Sequence, residues 1–198
     1  MTDGLTDAEQ ELITHLRQAS RRKPPSGFRY ANVLGLLLDV GRLFTPQPWP
    51  GGPPPGRPGN CYIDSVLWAA ESADGLAYVE GVVWWRFYPT EHAWCAGSSG
   101  VVLDPTWSDP GAAYLGLPVH PAAAVDMMRR LGGKHALLTY GPVTLDWPQH
   151  GVPDEILIDI GRPVPRTGTA GWAAPLRRSA RPACPSPDVY RQPTKPAR

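Results

Sequence analysis

Cysteine is scarce in this chain: three among 198 residues, Cys61, Cys95 and Cys184. With no C-x-x-C pair they form neither a disulfide framework nor a paired-thiol zinc signature, and unpaired thiols fit a reducing compartment. Long hydrophobic runs are missing too. The longest apolar stretch, around Val33 to Val40, is broken by Gly35 and Asp39 and is far too short to span a bilayer. Met1-Thr2-Asp3-Gly4 is polar and carries an acid, unlike a signal peptide. A soluble cytoplasmic protein with no membrane partner is expected. No internal repeat, aromatic stacking platform or nucleic-acid fold signature is present, so nucleic acid is not an expected partner. Proline and glycine, by contrast, are abundant at 25 and 21 residues, which predicts irregular segments in a chain otherwise long enough for one domain with a real core.

Four regions follow from the pattern. Residues 1–45 read as N-terminal helices. Thr6 and Glu9 make a capping box, Leu12, Ile13, Leu16 and Ala19 an apolar face, and Arg21-Arg22-Lys23 a basic end, predicting a helix from about Asp7 to Arg22 that Pro24-Pro25 stop. A second helix is predicted from about Tyr30 to Phe44, with Leu34, Leu37, Leu38 and Gly41 on one face. Residues 46–58 belong to a Pro/Gly-rich loop, since Thr45 to Pro58 holds seven prolines in 14 residues and can be neither helix nor central strand. It is a connector or a lid. Residues 59–162 form the core, in which Pro121 to Leu131 reads as a helix ended by Gly132-Gly133, and Lys134 to Leu145 and Ile156 to Ile160 as short strands. Residues 163–198 carry seven Lys and Arg against one acid, a charge of +6 with eight prolines, leaving −5 for the rest. So few apolar residues cannot offset ordering entropy, and a disordered basic tail is expected.

Within the core, Cys61, His92 and Asp104 stand in that order in Gly59-Asn60-Cys61-Tyr62, His92-Ala93-Trp94 and Leu103-Asp104-Pro105-Thr106-Trp107. A thiol attacks as thiolate, and a free thiol is mostly protonated at neutral pH, so a nucleophilic cysteine needs local positive potential. Ile63, Val66, Leu67 and Ala70 at i, i+3, i+4 and i+7 predict a helix, with Asn60 as its N-cap and Cys61 as its first residue. There the helix dipole and free backbone N–H groups favour an anion.

His92 follows a strand-like run from Leu76 to Val83, and Trp84 to Pro89 either continues it or turns. Gly97-Ser98-Ser99-Gly100 is turn chemistry between two strand-like segments. A hairpin centred on Ser98 sets His92 directly opposite Asp104, with Cβ atoms about 4.5–5.5 Å apart. A carboxylate there orients the imidazole and stabilises its charged form. Taken singly, each residue has a plainer reading: a small side chain at a helix start, a half-buried histidine beside an aromatic, an Asp-Pro turn. Jointly they point to acyl-transfer chemistry.

These residues resemble the transglutaminase-like superfamily of papain-type thiol enzymes, over roughly Gly59 to Pro118. Tyr78-Val79-Glu80-Gly81, His92-Ala93-Trp94, Asp104-Pro105-Thr106-Trp107 and Tyr114-Leu115-Gly116 also look like a group of small bacterial and phage proteins placed there. The resemblance implies an α+β fold: a papain/transglutaminase-like core with an N-terminal helical subdomain packed on a small antiparallel sheet. It implies Cys61 as nucleophile, His92 as general base and acid, and Asp104 as orienter. An upstream glutamine supplies an oxyanion donor in papain-type enzymes, which makes Gln47 a candidate, with Asn60 a second beside the Cys61 backbone N–H. Tyr62 departs from the pattern, since many relatives carry Trp beside the nucleophile. Most of the tryptophans at 68, 84, 85, 94 and 107 read as core, with one or two walling a substrate groove. Trp94 and Tyr62 join the candidate substrate contacts.

The expected chemistry is a thioester on Cys61 formed from a carboxamide or peptide bond and resolved by water or an amine. The partners would be a protein or peptide substrate, or a small amide or amine, with no cofactor. Zinc is disfavoured because His92 and Cys95, three apart on a strand, point to opposite faces. The competing reading is a noncatalytic protein-binding module that keeps the papain-like frame. Oligomeric state is not legible.

Overall fold

Thr6 opens the chain's first helix by the predicted capping box: its hydroxyl accepts from Glu9 N at 3.2 Å, and Glu9 Oε2 accepts from Thr6 N at 2.9 Å. Residues 4–132, 136–138 and 143–165 are described by the structure, a computed structural model, and up to Pro165 the chain forms one unit. The first helix, α1, spans Asp7–Ala19 and buries Leu12, Ile13 and Leu16.

The second helix is shorter than its apolar pattern suggests. α2 covers Val33–Val40, capped by Asn32 through Gly35 N, and Gly41 leaves helical geometry for an extended one. Leu36 and Leu37 are its buried leucines, whereas Leu34 and Leu38 are half-buried, so the predicted face is displaced. Arg42–Phe44 is a strand, β1, because the sheet takes up its backbone groups.

Six strands form one antiparallel sheet in the order β4-β3-β2-β5-β1-β6, built from β1, β2 (Ala77–Trp85), β3 (Tyr88–Ala96), β4 (Val102–Leu103), β5 (Ala113–Val119) and β6 (Arg162–Pro163). The sheet curls on itself. Thr45 N donates to Gly100 O and Val102 N donates to Thr45 O, so the chain leaving β1 meets the start of β4 and half closes a barrel. Inside the curl lie Phe44, Val79, Val83, Trp94, Val102 and Tyr114. The outer face carries Tyr78, Val82, Ala93, Cys95, Leu115 and Leu117 against α1, α2, α3 (Cys61–Glu71) and α4 (Pro121–Arg130). Mixed α and β elements around an antiparallel sheet agree with the expected class. β5, fully buried in a continuous apolar run, is a central strand that the hydrophobic pattern hid behind Gly116 and Pro118.

Two glycines set the inner face. Gly81 of β2 lies opposite Gly116 of β5 and His92 of β3. A Cβ on Gly81 would meet Leu115 O at 2.1 Å, and one on Gly116 would meet the Trp94 ring at 2.7 Å. Bare backbone at Gly116 makes room for the Trp94 ring beside His92, and at Gly81 for the close approach of β5. β2 and β3 are joined by Arg86 and Phe87, both at positive φ (47° and 73°), as a two-residue primed turn requires. Neither is a residue that favours such geometry, and Phe87 is 90% exposed.

Elsewhere the predicted strands give way. Val143–His150 is a helix, α5, with Pro148 inside it, while residues 134–135 and 139–142 of that predicted strand lie outside the described residues. Asp154–Ile156 is a single 3₁₀ turn, and only Leu157 bridges to the sheet, at Val119. The helix from Pro121 is as expected, with Pro121 in its first turn and Gly132 at φ 80° after its end. Pro163, the first residue of the basic tail, forms β6 with Arg162 of the core, and residues 166–198 lie outside the described residues. No helix among the described residues is long and apolar enough to cross a membrane.

Gly81→Ala should destabilise the protein by about 2–3 kcal/mol, the upper range for forced overpacking, because the atom it strikes is backbone. Chemical denaturation measures this, and a loss below about 0.5 kcal/mol would mean that the rung is not closely packed.

Candidate active site

Cys61 is the first residue of α3, as predicted, but the helix is rotated from its expected face. Ser65, Val66 and Ala69 are buried, while Ile63 and Leu67 of the predicted stripe are 37% and 48% exposed. Ser65 decides the orientation: its Oγ donates to Ala93 O at 3.1 Å, and Cys95 Sγ donates to Ser65 O at 3.2 Å. Two polar contacts to β3 outweigh the burial of Ile63 and Leu67. Asn60 makes no capping hydrogen bond; with its amide oriented to suit its neighbours, the oxygen accepts instead from Arg57 Nε at 3.1 Å and Nη2 at 3.0 Å. The α3 amides are therefore not capped by the Asn60 side chain, which suits an anion at Cys61.

The hairpin between His92 and Asp104 is not centred on Ser98. Cys95 pairs with Leu103 and Ala96 with Val102, which centres the turn on Ser99. Moving the centre by one residue moves each partner by two, so side chains keep their faces. Asp104 lies past the end of β4, diagonal to His92 rather than opposite it. The two side chains span the diagonal, with His92 Nε2 and Asp104 Oδ2 at 2.6 Å and both nearly inaccessible to water. Asp104 is held in turn by three donors to Oδ1: Thr106 N at 2.9 Å, Thr106 Oγ1 at 3.0 Å and Trp107 N at 3.1 Å. This is the Asx-turn chemistry of an Asp-Pro-Thr sequence.

Because β4 pairs only with Cys95 and Ala96, the β3 edge at His92 has no strand beside it among the described residues. The first turn of α3 and the 104–107 turn meet there. The Pro-rich loop ties them together. Gly56 N donates to Pro105 O at 2.6 Å, Arg57 N donates to Asp64 Oδ2 at 2.6 Å, and Trp49 packs edge-on against Trp68 of α3 with centroids 5.3 Å apart. A Cβ on Gly56 would lie 2.6 Å from Pro105 O. The loop is thus a fastened connector at this end.

Burial alone would lower the His92 pKa, but the Asp104 hydrogen bond and charge, and the Cys61 sulfur within hydrogen-bonding reach of the ring, raise it to about 9. His92 is therefore an imidazolium at neutral pH. With Nε2 committed to Asp104, Nδ1 is the nitrogen left to exchange a proton with Cys61. Trp107 covers the imidazole in a parallel stack at 3.8 Å, and Trp85 lies 5.1 Å beyond Trp107. Cys95 is a different thiol: it faces the helices, and burial pushes its pKa up. Glu80 of the outer face accepts from Leu138 N and Leu137 N at 2.7 Å each and from Tyr78 Oη at 2.8 Å; burial raises its pKa to about 7 against these donors.

The structure brings Cys61, His92 and Asp104 together and separates them from other candidates. Trp94 is fully buried between Phe44 and Tyr114 and cannot wall a groove, because the curl of the sheet turns it inward. Gln47 is half-buried at the start of the loop, and no hydrogen bond to Cys61, His92 or Asp104 is formed by it among the described residues. Tyr62 packs half-buried against the core, close enough to the Tyr78 hydroxyl to disfavour its ionisation. Trp107, Thr106 and Arg57 were not selected from sequence; the Asp-x-Thr spacing signals Thr106, whereas nothing local signals the Trp107 stack. No family model, curated protein or solved structure matches this chain.

Asp104→Asn should return His92 from about 9 towards its ordinary 6.5, followed by NMR of the ring protons. A histidine whose folded pKa is raised stabilises fully below 6.5 and loses that contribution as pH rises through about 9. The parent should therefore lose stability, on the order of 3 kcal/mol, between those limits, and the variant much less. An unchanged ring titration in the variant would show that Asp104 does not charge His92.

Proposed function

We propose that the protein is a thiol-dependent acyltransferase or amidohydrolase of transglutaminase-like, papain-type chemistry, acting on a carboxamide or peptide bond. One observation carries the reading: a buried 2.6 Å His92–Asp104 bond holds a charged imidazole beside a half-buried cysteine at a helix N-terminus. Structural ion pairs also occur in cores, but few sit against an accessible thiol in an uncapped helical turn.

The reaction would begin from an ion pair in which His92 Nδ1 already holds the proton of Cys61 Sγ. The thiolate attacks the carbonyl carbon, the oxyanion lies towards the Cys61 backbone N–H, and collapse breaks the C–N bond. The leaving amine takes the Nδ1 proton, and a thioester remains on Cys61. Water or an amine then attacks the thioester, gives its proton to Nδ1 and releases the thiolate. Asp104 stays ionised throughout and stabilises the imidazolium. The substrate would be a protein, a peptide or a small amide.

A protein-binding module on the same frame is the second reading, favoured by exposed apolar groups. Ile63, Leu67 and Trp68 on α3, and Phe87 and Tyr88 on the β2–β3 hairpin, lie on the elements that carry Cys61 and His92. Such exposed groups mark interaction surfaces in many proteins.

Iodoacetamide labelling read by mass separates the two. The enzyme reading expects Cys61 to react at least ~10-fold faster than buried Cys95, and His92→Ala to slow it about tenfold. Glutaminyl peptides, with and without a primary amine, should gain deamidated, cleaved or transamidated product, with activity falling as pH rises through about 9, where His92 loses its proton. Slow labelling of Cys61 that is indifferent to His92 would leave the binding module.

A further inference from the structure

The β2–β3 turn carries strain that nothing among the described residues offsets. Phe87 sits in the left-handed region at φ 73°, yet its ring is 90% exposed and buries little. Backbone strain of this kind gathers where a ligand or partner is held. Beside Phe87 the hairpin and α1 border an open groove of about 480 Å³. One side is formed by the Trp84 and Phe87 rings, with Trp84 half-buried and the His15 ring 6.2 Å from it at 54°. The other side is the exposed polar face of α1, where Gln10, Thr14 and Gln18 follow one another at i, i+4 and i+8 and Glu11 stands next to them. Eight residues of helix rise about 12 Å, the length of three or four extended residues.

Charge selects the occupant. Glu11 is the one carboxylate lining the groove among the described residues, and no Lys or Arg lines it there. It forms no ion pair among those residues. The hairpin's own cation, Arg86, lies 4.2 Å over the Trp85 ring, and Trp85 points to the opposite face of β2 from Trp84. A carboxylate without a counter-ion beside two aromatic rings favours a cation, and a planar guanidinium in particular, which stacks on the rings while its N–H groups reach the carboxylate. Gln10 Nε2 donates to Thr14 Oγ1 at 3.3 Å, which leaves the Gln10 carbonyl oxygen and the Thr14 O–H for main-chain groups of a ligand.

We infer that this groove binds an extended peptide segment of a partner protein through an arginine side chain, its guanidinium placed between Glu11 and the Trp84 and Phe87 rings. The exposed, strained position of Phe87 is what presents its ring face to that cation. The groove shares no residue with Cys61, His92 or Asp104, so the inference stands whether or not Cys61 is a nucleophile.

The probe is the peptide acetyl-Ala-Ala-Arg-Ala-Ala-amide, titrated into the full chain and followed by NMR of the His15 and Phe87 rings and the Trp84 indole. Its citrulline counterpart keeps the shape without the charge. Saturable shifts of all three groups are expected with the arginine peptide at millimolar concentration, with at least ~5-fold weaker binding of the citrulline peptide. Glu11→Gln and Phe87→Gly should each weaken binding about three- to fivefold, the scale of one exposed ion pair or one cation–π contact, while Phe87→Tyr binds as the parent does. Glycine adopts positive φ without strain, so Phe87→Gly should unfold at the same Tm or higher. Absence of saturable shifts, equal binding of the two peptides, or parental binding by Glu11→Gln would overturn the inference. A lower Tm for Phe87→Gly would do so as well, because the ring would then serve the fold. Shifts of these groups with protein concentration alone would mean that a second copy fills the groove, and would equally overturn it.

Discussion

A carboxylate and an imidazole bonded out of reach of water constrain everything around them. Removing both groups from water costs several kcal/mol per ion, recovered only when geometry is close and the remaining lone pairs are satisfied. At Asp104 both conditions are met: one oxygen faces His92 and the other takes three donors from Thr106 and Trp107. The 104–107 turn cannot relax without exposing a charge, and the Gly56–Pro105 hydrogen bond passes that rigidity to the loop ahead of Cys61. Positioning of the thiol is thus tied to satisfaction of the acid.

The half-barrel explains why these groups meet. α3 lies on the outer face of the sheet, and His92 points inward with Trp94 and Trp107. Groups on opposite faces can share a site only at an edge. β4, two residues long, ends before it reaches His92 and leaves that edge free for the α3 N-terminus. The same shortness makes Asp104 part of a turn rather than a ladder, which gives its carboxylate freedom to cross the diagonal. Bare backbone at Gly116 supplies the remaining space for Trp94, and at Gly81 it lets the β5 backbone approach.

Much of the local structure was legible because its causes are local. The Thr6–Glu9 box, Pro121 in a first turn and Cys61 at the start of a helix depend on neighbours three or four residues away. The His92–Asp104 association was legible for a subtler reason. Strand parity survives a shift of the turn centre from Ser98 to Ser99, so the pair shares a face under either register although the expected opposition was incorrect. Elements whose conformation is set by distant partners were not legible: Arg42–Phe44 joins the sheet through β5, Val143–His150 is helical despite Pro148, and Ile156–Ile160 forms no strand.

The placing of Cys61 at a helix start, and of His92 and Asp104 on one face, follows from local order alone, because capping, turn chemistry and side-chain alternation act over a few residues. Which aromatic rings enclose His92 depends on the assembled sheet. Trp94 is drawn into the interior and Trp107 placed over His92 by the curl of the sheet, a property of six strands together. The assembled fold also decides that Ser65 rather than Ile63 faces β3, and that Asn60 serves Arg57 rather than the helix, since long-range hydrogen bonds outweigh one-dimensional periodicity wherever the two compete.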